Sequence, residues 1–84
     1  MQRIIEWVFD DQNVDKLGAH GVNLDELNQL LENVYTIARN RKSRAAGFIV
    51  RGITNGGRRL VVPADPIPGD TDAWRPITAW CPDE

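Results

Sequence analysis

The sequence predicts an α+β domain: an N-terminal strand, then two short helices packed on a twisted antiparallel sheet of about four strands. Three observations carry the prediction. Apolar residues recur at helical spacing up to Val34 and alternate with period two after it. Helix-capping residues crowd the first third of the chain, whereas Gly- and Pro-rich turn signals crowd the remainder. Charge divides at the same place: Asn33 to Ala64 holds no acid and seven of the ten Lys and Arg residues, so the helices are acidic and the sheet is basic.

Each element has a local cause. Ile4-Ile5-Glu6-Trp7-Val8-Phe9 is a β-branched and aromatic run, and reads as a strand. Asp10 and Asp11 end it and can cap a helix in which Val14 and Leu17 share one face. His20-Gly21 closes that helix, with Gly21 suited to the left-handed position that follows a last turn. Asn23 and Glu26 have capping-box spacing, Val22 and Leu27 occupy the staple positions, and Leu24, Leu27, Leu30, Leu31 and Val34 form one apolar stripe. Tyr35 to Arg39 and Phe48 to Thr54 read as strands joined by a basic loop from Asn40 to Ala45. Asn55-Gly56-Gly57 turns the chain into a third strand, Arg59 to Val62. Asp65 to Asp70 reads as a proline-stiffened loop, and Trp74 to Trp80 as a last strand, with Pro76 at an edge or a bulge. The helix-two face Leu24, Leu27, Leu31 is expected to cover Trp7, Ile37, Phe48, Val50 and Val61.

Eighty-four residues, 1–84, make one domain. A chain this short buries roughly 60–65% of its unfolded surface, so a partner that covers apolar surface would add materially to its stability. The single cysteine, Cys81, excludes an internal disulfide, and a cytoplasmic location is expected from the absence of such staples. No apolar run approaches the ~18 residues that cross a bilayer, and the start has no basic-then-apolar signal, so no membrane association is expected.

The charge division points to an electropositive surface for a polyanion or an acidic partner, formed by Arg39, Arg41, Lys42, Arg44, Arg51, Arg58 and Arg59. No cofactor and no metal are expected. The acids stay out of the basic segment, no His and Cys cluster accompanies them, and Gly52 and Gly56-Gly57 do not lead into a helix as phosphate-binding loops do. Helix two, with Asp25, Glu26 and Glu32 and no base, would be repelled by DNA phosphates. Metal-free RNA cleavage stays open. It needs a base, an acid, and a cation on the phosphorane, a role that the forked guanidinium of arginine suits. His20 is the only histidine available for proton transfer.

Four stretches resemble the BrnT toxins of bacterial type II toxin–antitoxin pairs. They are Glu6-Trp7 with Asp10 or Asp11 shortly after; Ala19-His20-Gly21-Val22; Gly52-Ile53-Thr54-Asn55-Gly56-Gly57-Arg58-Arg59-Leu60; and Arg75-Pro76-Ile77-Thr78-Ala79. They occur in the family's order and span nearly the whole chain. The resemblance implies a RelE-like fold, RNA cleavage that inhibits translation, and neutralisation by a cognate antitoxin. Members of the family carry a Glu-Arg pair where this chain has Ala46-Gly47, and an arginine where it has Trp80.

Two functional expectations follow. In the first, the chain is a toxin and a metal-independent endoribonuclease: Arg75 and Arg44 stabilise the phosphorane, His20 moves a proton, and Arg51, Arg58, Arg59, Arg39, Arg41 and Lys42 bind RNA. In the second, the chain is a catalytically inactive member that acts as a protein-interaction or RNA-binding module. The partners expected are RNA and the antitoxin, with a second copy of the chain, as a homodimer, a further candidate.

Overall fold

Two capping boxes start the two helices. The Asn13 N–H donates to Asp10 Oδ1 at 2.9 Å, and the Asp10 N–H donates back to Asn13 Oδ1 at 2.9 Å. At the second helix, the Glu26 N–H donates to Asn23 Oδ1 at 2.9 Å and the Asn23 N–H to Glu26 Oε1 at 3.2 Å. Each box satisfies two of the backbone donors that a helix start leaves without intrahelical partners. Gly21 sits between the helices at φ 71°, where a Cβ would be strained.

The computed structural model describes residues 3–40 and 46–82. Within them the order is β1 (Glu6–Trp7), α1 (Asp11–Ala19), α2 (Leu24–Glu32), β2 (Tyr35–Arg39), β3 (Phe48–Ile53), β4 (Arg59–Ile67) and β5 (Asp70–Pro76). The strands form one sheet in the order β1-β5-β4-β3-β2. Pairings β2–β3, β3–β4 and β4–β5 are antiparallel, and β1 lies parallel to β5. The architecture is therefore α+β as expected, with two helices. The sheet differs from the expected antiparallel set of about four strands: it has five and is mixed. The run from β1 to β5 passes through both helices and three strands, long enough to bring β1 back alongside β5 in the same direction.

The helices cover one face. Leu27 and Leu30 of α2 and Leu17 of α1 are fully buried among Val50, Leu60, Val62, Ala64 and Trp74. The Trp7 indole Nε1–H donates to the Leu27 carbonyl at 2.8 Å, which ties β1 to α2. Phe48 meets Trp74 edge to face with ring centroids 5.2 Å apart. Tyr35, on edge strand β2, accepts from the Ile4 N–H at 2.9 Å, just before the opposite edge strand. Four strand spacings amount to roughly 19 Å in a flat sheet, far beyond the reach of one tyrosine, so the sheet curls around α2. Close packing at that curl fixes Gly52: a Cβ there would lie 3.1 Å from Leu30 Cδ2 and 3.2 Å from Tyr35 Cβ.

Six sequence expectations change, each for a local reason. Asn13, not Val14, joins Leu17 on the buried face of α1, because the Asn13 side chain serves the capping box and donates to the Val8 carbonyl. Val34 leaves the apolar stripe, since α2 ends at Glu32; it is 84% exposed. Val61 is not beneath the helices. Its neighbours Leu60 and Val62 take the inner positions opposite Gly52 and Val50. Residues 65–67 belong to β4, because Pro66 falls beyond the start of β3, where its missing N–H costs no ladder bond. The last strand runs Asp70–Pro76, and Trp80 lies outside it, joined to β4 by reciprocal backbone bonds with Val61. Pro76 lies in an interior strand, yet past the two residues of β1, so its absent donor faces no partner strand.

Candidate nucleic-acid interface

Strand register sets which basic side chains share a surface. Thr36, Arg51 and Val61 are opposite one another across β2, β3 and β4, and Trp80 continues this row through its bonds with Val61 at 2.9 and 3.0 Å. One step along, Ile53 is opposite Arg59. These residues alternate with the buried Val50, Leu60 and Val62, so they occupy the face turned away from the helices. Arg51 and Arg59 are diagonal neighbours there, with backbones about 7–8 Å apart.

An open groove of about 660 Å³ is lined by Arg51, Ile53, Arg59, Val61, Trp80 and Pro82. No residue from Asn33 to Ala64 is acidic, so the strands that carry Arg51 and Arg59 bring positive charge to this face. Arginines beside an aromatic ring on an open sheet suit a ligand with anionic and flat apolar parts.

The other sequence-predicted residues stand elsewhere. Arg58, in the β3–β4 turn, pairs with Glu26 at 2.9 Å and donates to the Gly21 carbonyl at 2.9 Å, which ties the turn to the start of α2. Arg75 donates through Nε to Asp10 Oδ2 at 2.8 Å and keeps 37% of its side chain exposed. His20 is the exposed C-cap of α1, and Asp10 is its N-cap. Ten residues of helical rise separate these caps by about 15 Å, so the structure does not bring His20 and Arg75 together. Arg39 is exposed at the end of β2 in the row of Phe48, on the side of the helices. Arg41, Lys42 and Arg44 lie outside the described residues. Among the described residues, no three His, Cys, Asp or Glu side chains gather as metal ligands, and no helix is long and apolar enough to cross a membrane. No protein-family model, curated protein sequence or solved structure matches the chain.

Trp80 is the groove residue that sequence reasoning missed. The Trp74–Trp80 run read as one strand, and only its departure after Pro76 puts Trp80 opposite Val61.

The Asp10–Arg75 contact has a measurable consequence. The Asn13 backbone N–H, and then the Arg75 guanidinium, hold the Asp10 carboxyl below its usual value. A carboxyl lowered by folding adds stability above its unfolded value and loses it as pH falls through the folded one. Asp10→Asn keeps a good capping residue and removes the charge. Urea unfolding should therefore find wild type more stable at neutral pH and the two proteins converging below about pH 4. A constant gap down to pH 2 would remove the charge from the account.

Proposed function

We propose that the chain is a BrnT-like protein of RelE-like fold that acts by binding RNA along the open face of its sheet. One observation supports this above others: Arg51 and Arg59 are diagonal neighbours on the sheet face turned away from the helices, on a sequence segment that holds no acid, and Trp80 lines the same groove. Guanidinium forks hold phosphate oxygens in two places, and the acidic helices on the far face repel a polyanion, so RNA is directed to this side. In sequence, Arg41, Lys42 and Arg44 follow directly after β2 and add to the basic segment. Of the two cations that cleavage would aim at phosphorus, Arg44 lies outside the described residues and Arg75 is paired with Asp10, and that pairing favours binding without cutting.

The test is a titration of fluorescent single-stranded RNA with the purified protein in a chelator, followed by electrophoresis of the RNA. The expected result is binding that weakens steeply with salt and leaves the RNA intact. Affinity indifferent to salt would overturn the reading.

A second reading, the metal-independent endoribonuclease toxin held by a cognate antitoxin, has its own support at α1–α2. The guanidinium of Arg58 donates to the Gly21 carbonyl, next to His20, so a cation and the chain's imidazole share one corner. It expects growth arrest on induction, relieved by His20→Ala or Arg75→Ala in a folded protein. Loss of one preorganised contact to a transition state lowers a rate by about 10²–10³. Normal growth of cells that hold abundant folded wild type would decide for binding alone.

A further inference from the structure

We infer that Asn55 is a site of spontaneous modification: the Gly56 backbone nitrogen attacks the Asn55 side chain and converts it, through a succinimide, to aspartate and isoaspartate. The inference is independent of the RNA-binding reading and needs no co-reactant but water.

The β3–β4 turn presents both reacting groups. Asn55 and Gly56 are exposed. The Gly56 N–H, whose nitrogen is the nucleophile once it loses its proton, donates to no described residue. Its neighbours are engaged: the Asn55 N–H donates to Gln29 Oε1 at 2.9 Å, and the Gly57 N–H to the Thr54 carbonyl at 3.0 Å. The electrophile is held from the other side. Asn33 Nδ2 donates to Asn55 Oδ1 at 3.0 Å and to the Ile53 carbonyl at 2.9 Å, so a donor already faces the oxygen that takes up charge during the attack. The Asn55 amide nitrogen, which must leave, donates to no described residue. Asn55 is also the one asparagine followed by glycine; Asn13, Asn23, Asn28, Asn33 and Asn40 precede Val14, Leu24, Gln29, Val34 and Arg41, whose side chains crowd the attacking nitrogen.

The reaction balances without an oxidant or reductant. The Gly56 amide gives its proton to hydroxide, its nitrogen bonds to Asn55 Cγ, and the Cγ–Nδ2 bond breaks as ammonia leaves. Water then opens one of the two C–N bonds of the imide. Opening at Cγ gives aspartate, whereas opening at the backbone carbonyl carbon gives isoaspartate, in which the chain runs through Cβ and Cγ. Aspartate keeps the backbone of the turn and still accepts from Asn33. Isoaspartate adds one backbone atom between Thr54 and Arg58, which are joined by the Thr54 N–H to the Arg58 carbonyl at 2.9 Å and by the Arg58 N–H to Thr54 Oγ1 at 3.1 Å. Arg58 ties this turn to the start of α2 through Glu26 and the Gly21 carbonyl, so the lengthened turn loosens that tie.

The experiment ages the full chain at physiological temperature in mildly acid, neutral and alkaline buffers, then digests it with trypsin beside an unaged control. The tryptic peptide 52–58 reports on Asn55, and synthetic peptides with asparagine, aspartate and isoaspartate assign its forms by chromatography and mass. Asn55 should convert with release of ammonia, faster as hydroxide rises, while the other asparagines stay intact. Gly56→Ala should slow conversion by about tenfold or more, because a Cβ crowds ring closure and narrows the backbone angles that reach it. That variant should still fold, since a Cβ at Gly56 meets nothing nearer than Thr54 Oγ1 at 3.9 Å. Aged wild type should melt below Asn55→Asp, which has the new charge without the longer backbone. Asn55 that stays intact in the folded chain while the free peptide 52–58 converts would overturn the proposal, since the turn would then protect it. Conversion at equal rates in wild type and Gly56→Ala would overturn the succinimide route. Aged wild type that melts together with Asn55→Asp would overturn the loosening of the turn.

Discussion

Leu27→Ala should lower the free energy of unfolding by about 2–5 kcal/mol, the range for removing most of a fully buried leucine. Leu27 has no exposed surface, sits at the staple position with buried Val22, and lends its carbonyl to the Trp7 indole. Truncation opens a void where α2, β1 and the sheet meet, and backbone held by the Trp7 bond resists closing it. A domain of 84 residues has little stability to spare, so a loss at the upper end of the range would leave much of the protein unfolded at 37 °C. Val34→Ala, at a position 84% exposed, should change stability by no more than about 0.5 kcal/mol. Urea denaturation of both variants measures the contrast. Equal, small losses would mean that α2 is not the element that closes the core.

The same contrast explains how much of the fold was legible. Leu27 and Val34 both fit a helical stripe, and what separates them is the end of α2 at Glu32, which apolar spacing does not mark. Asn23 and Glu26 were readable because a capping box is a local exchange of two hydrogen bonds, complete within four residues. Leu60-Val61-Val62 was not, because three apolar residues in a row have no period, and only pairing with Gly52 and Val50 decides which face each takes. The parallel placement of β1 depends on residues 67 positions away, Ala73 and Trp74, so no local pattern could contain it. The candidate site followed the same rule. The basic segment was visible as charge, whereas the placing of its members was not: Arg58 sits in a turn against Glu26, and strand register puts Arg51 and Arg59 on the face turned away from the helices. Charge along a chain gives the sign of a surface, and strand register decides which charges share it.

That division yields the second large effect. The double charge reversal Arg51→Glu, Arg59→Glu should weaken binding of single-stranded RNA by about 10²-fold or more at low salt. The magnitude takes two charge-assisted contacts at roughly 1.5 kcal/mol each, and reversal adds repulsion to their loss. The log–log slope of affinity against salt should also fall by about 1.4, two phosphates at roughly 0.7 each for a single strand. The slope identifies the cause, because a variant that merely unfolds in part would lose affinity with its slope unchanged. Lys16→Glu is the matched control, an exposed cation near the end of α1 on the helical side; it should alter neither quantity. Both substituted strand positions face away from the core, so the double variant should still unfold as one cooperative unit in a thermal melt. If Lys16→Glu weakens RNA as much as the double reversal does, binding follows net charge alone, and the open sheet face is no more than a solvated surface.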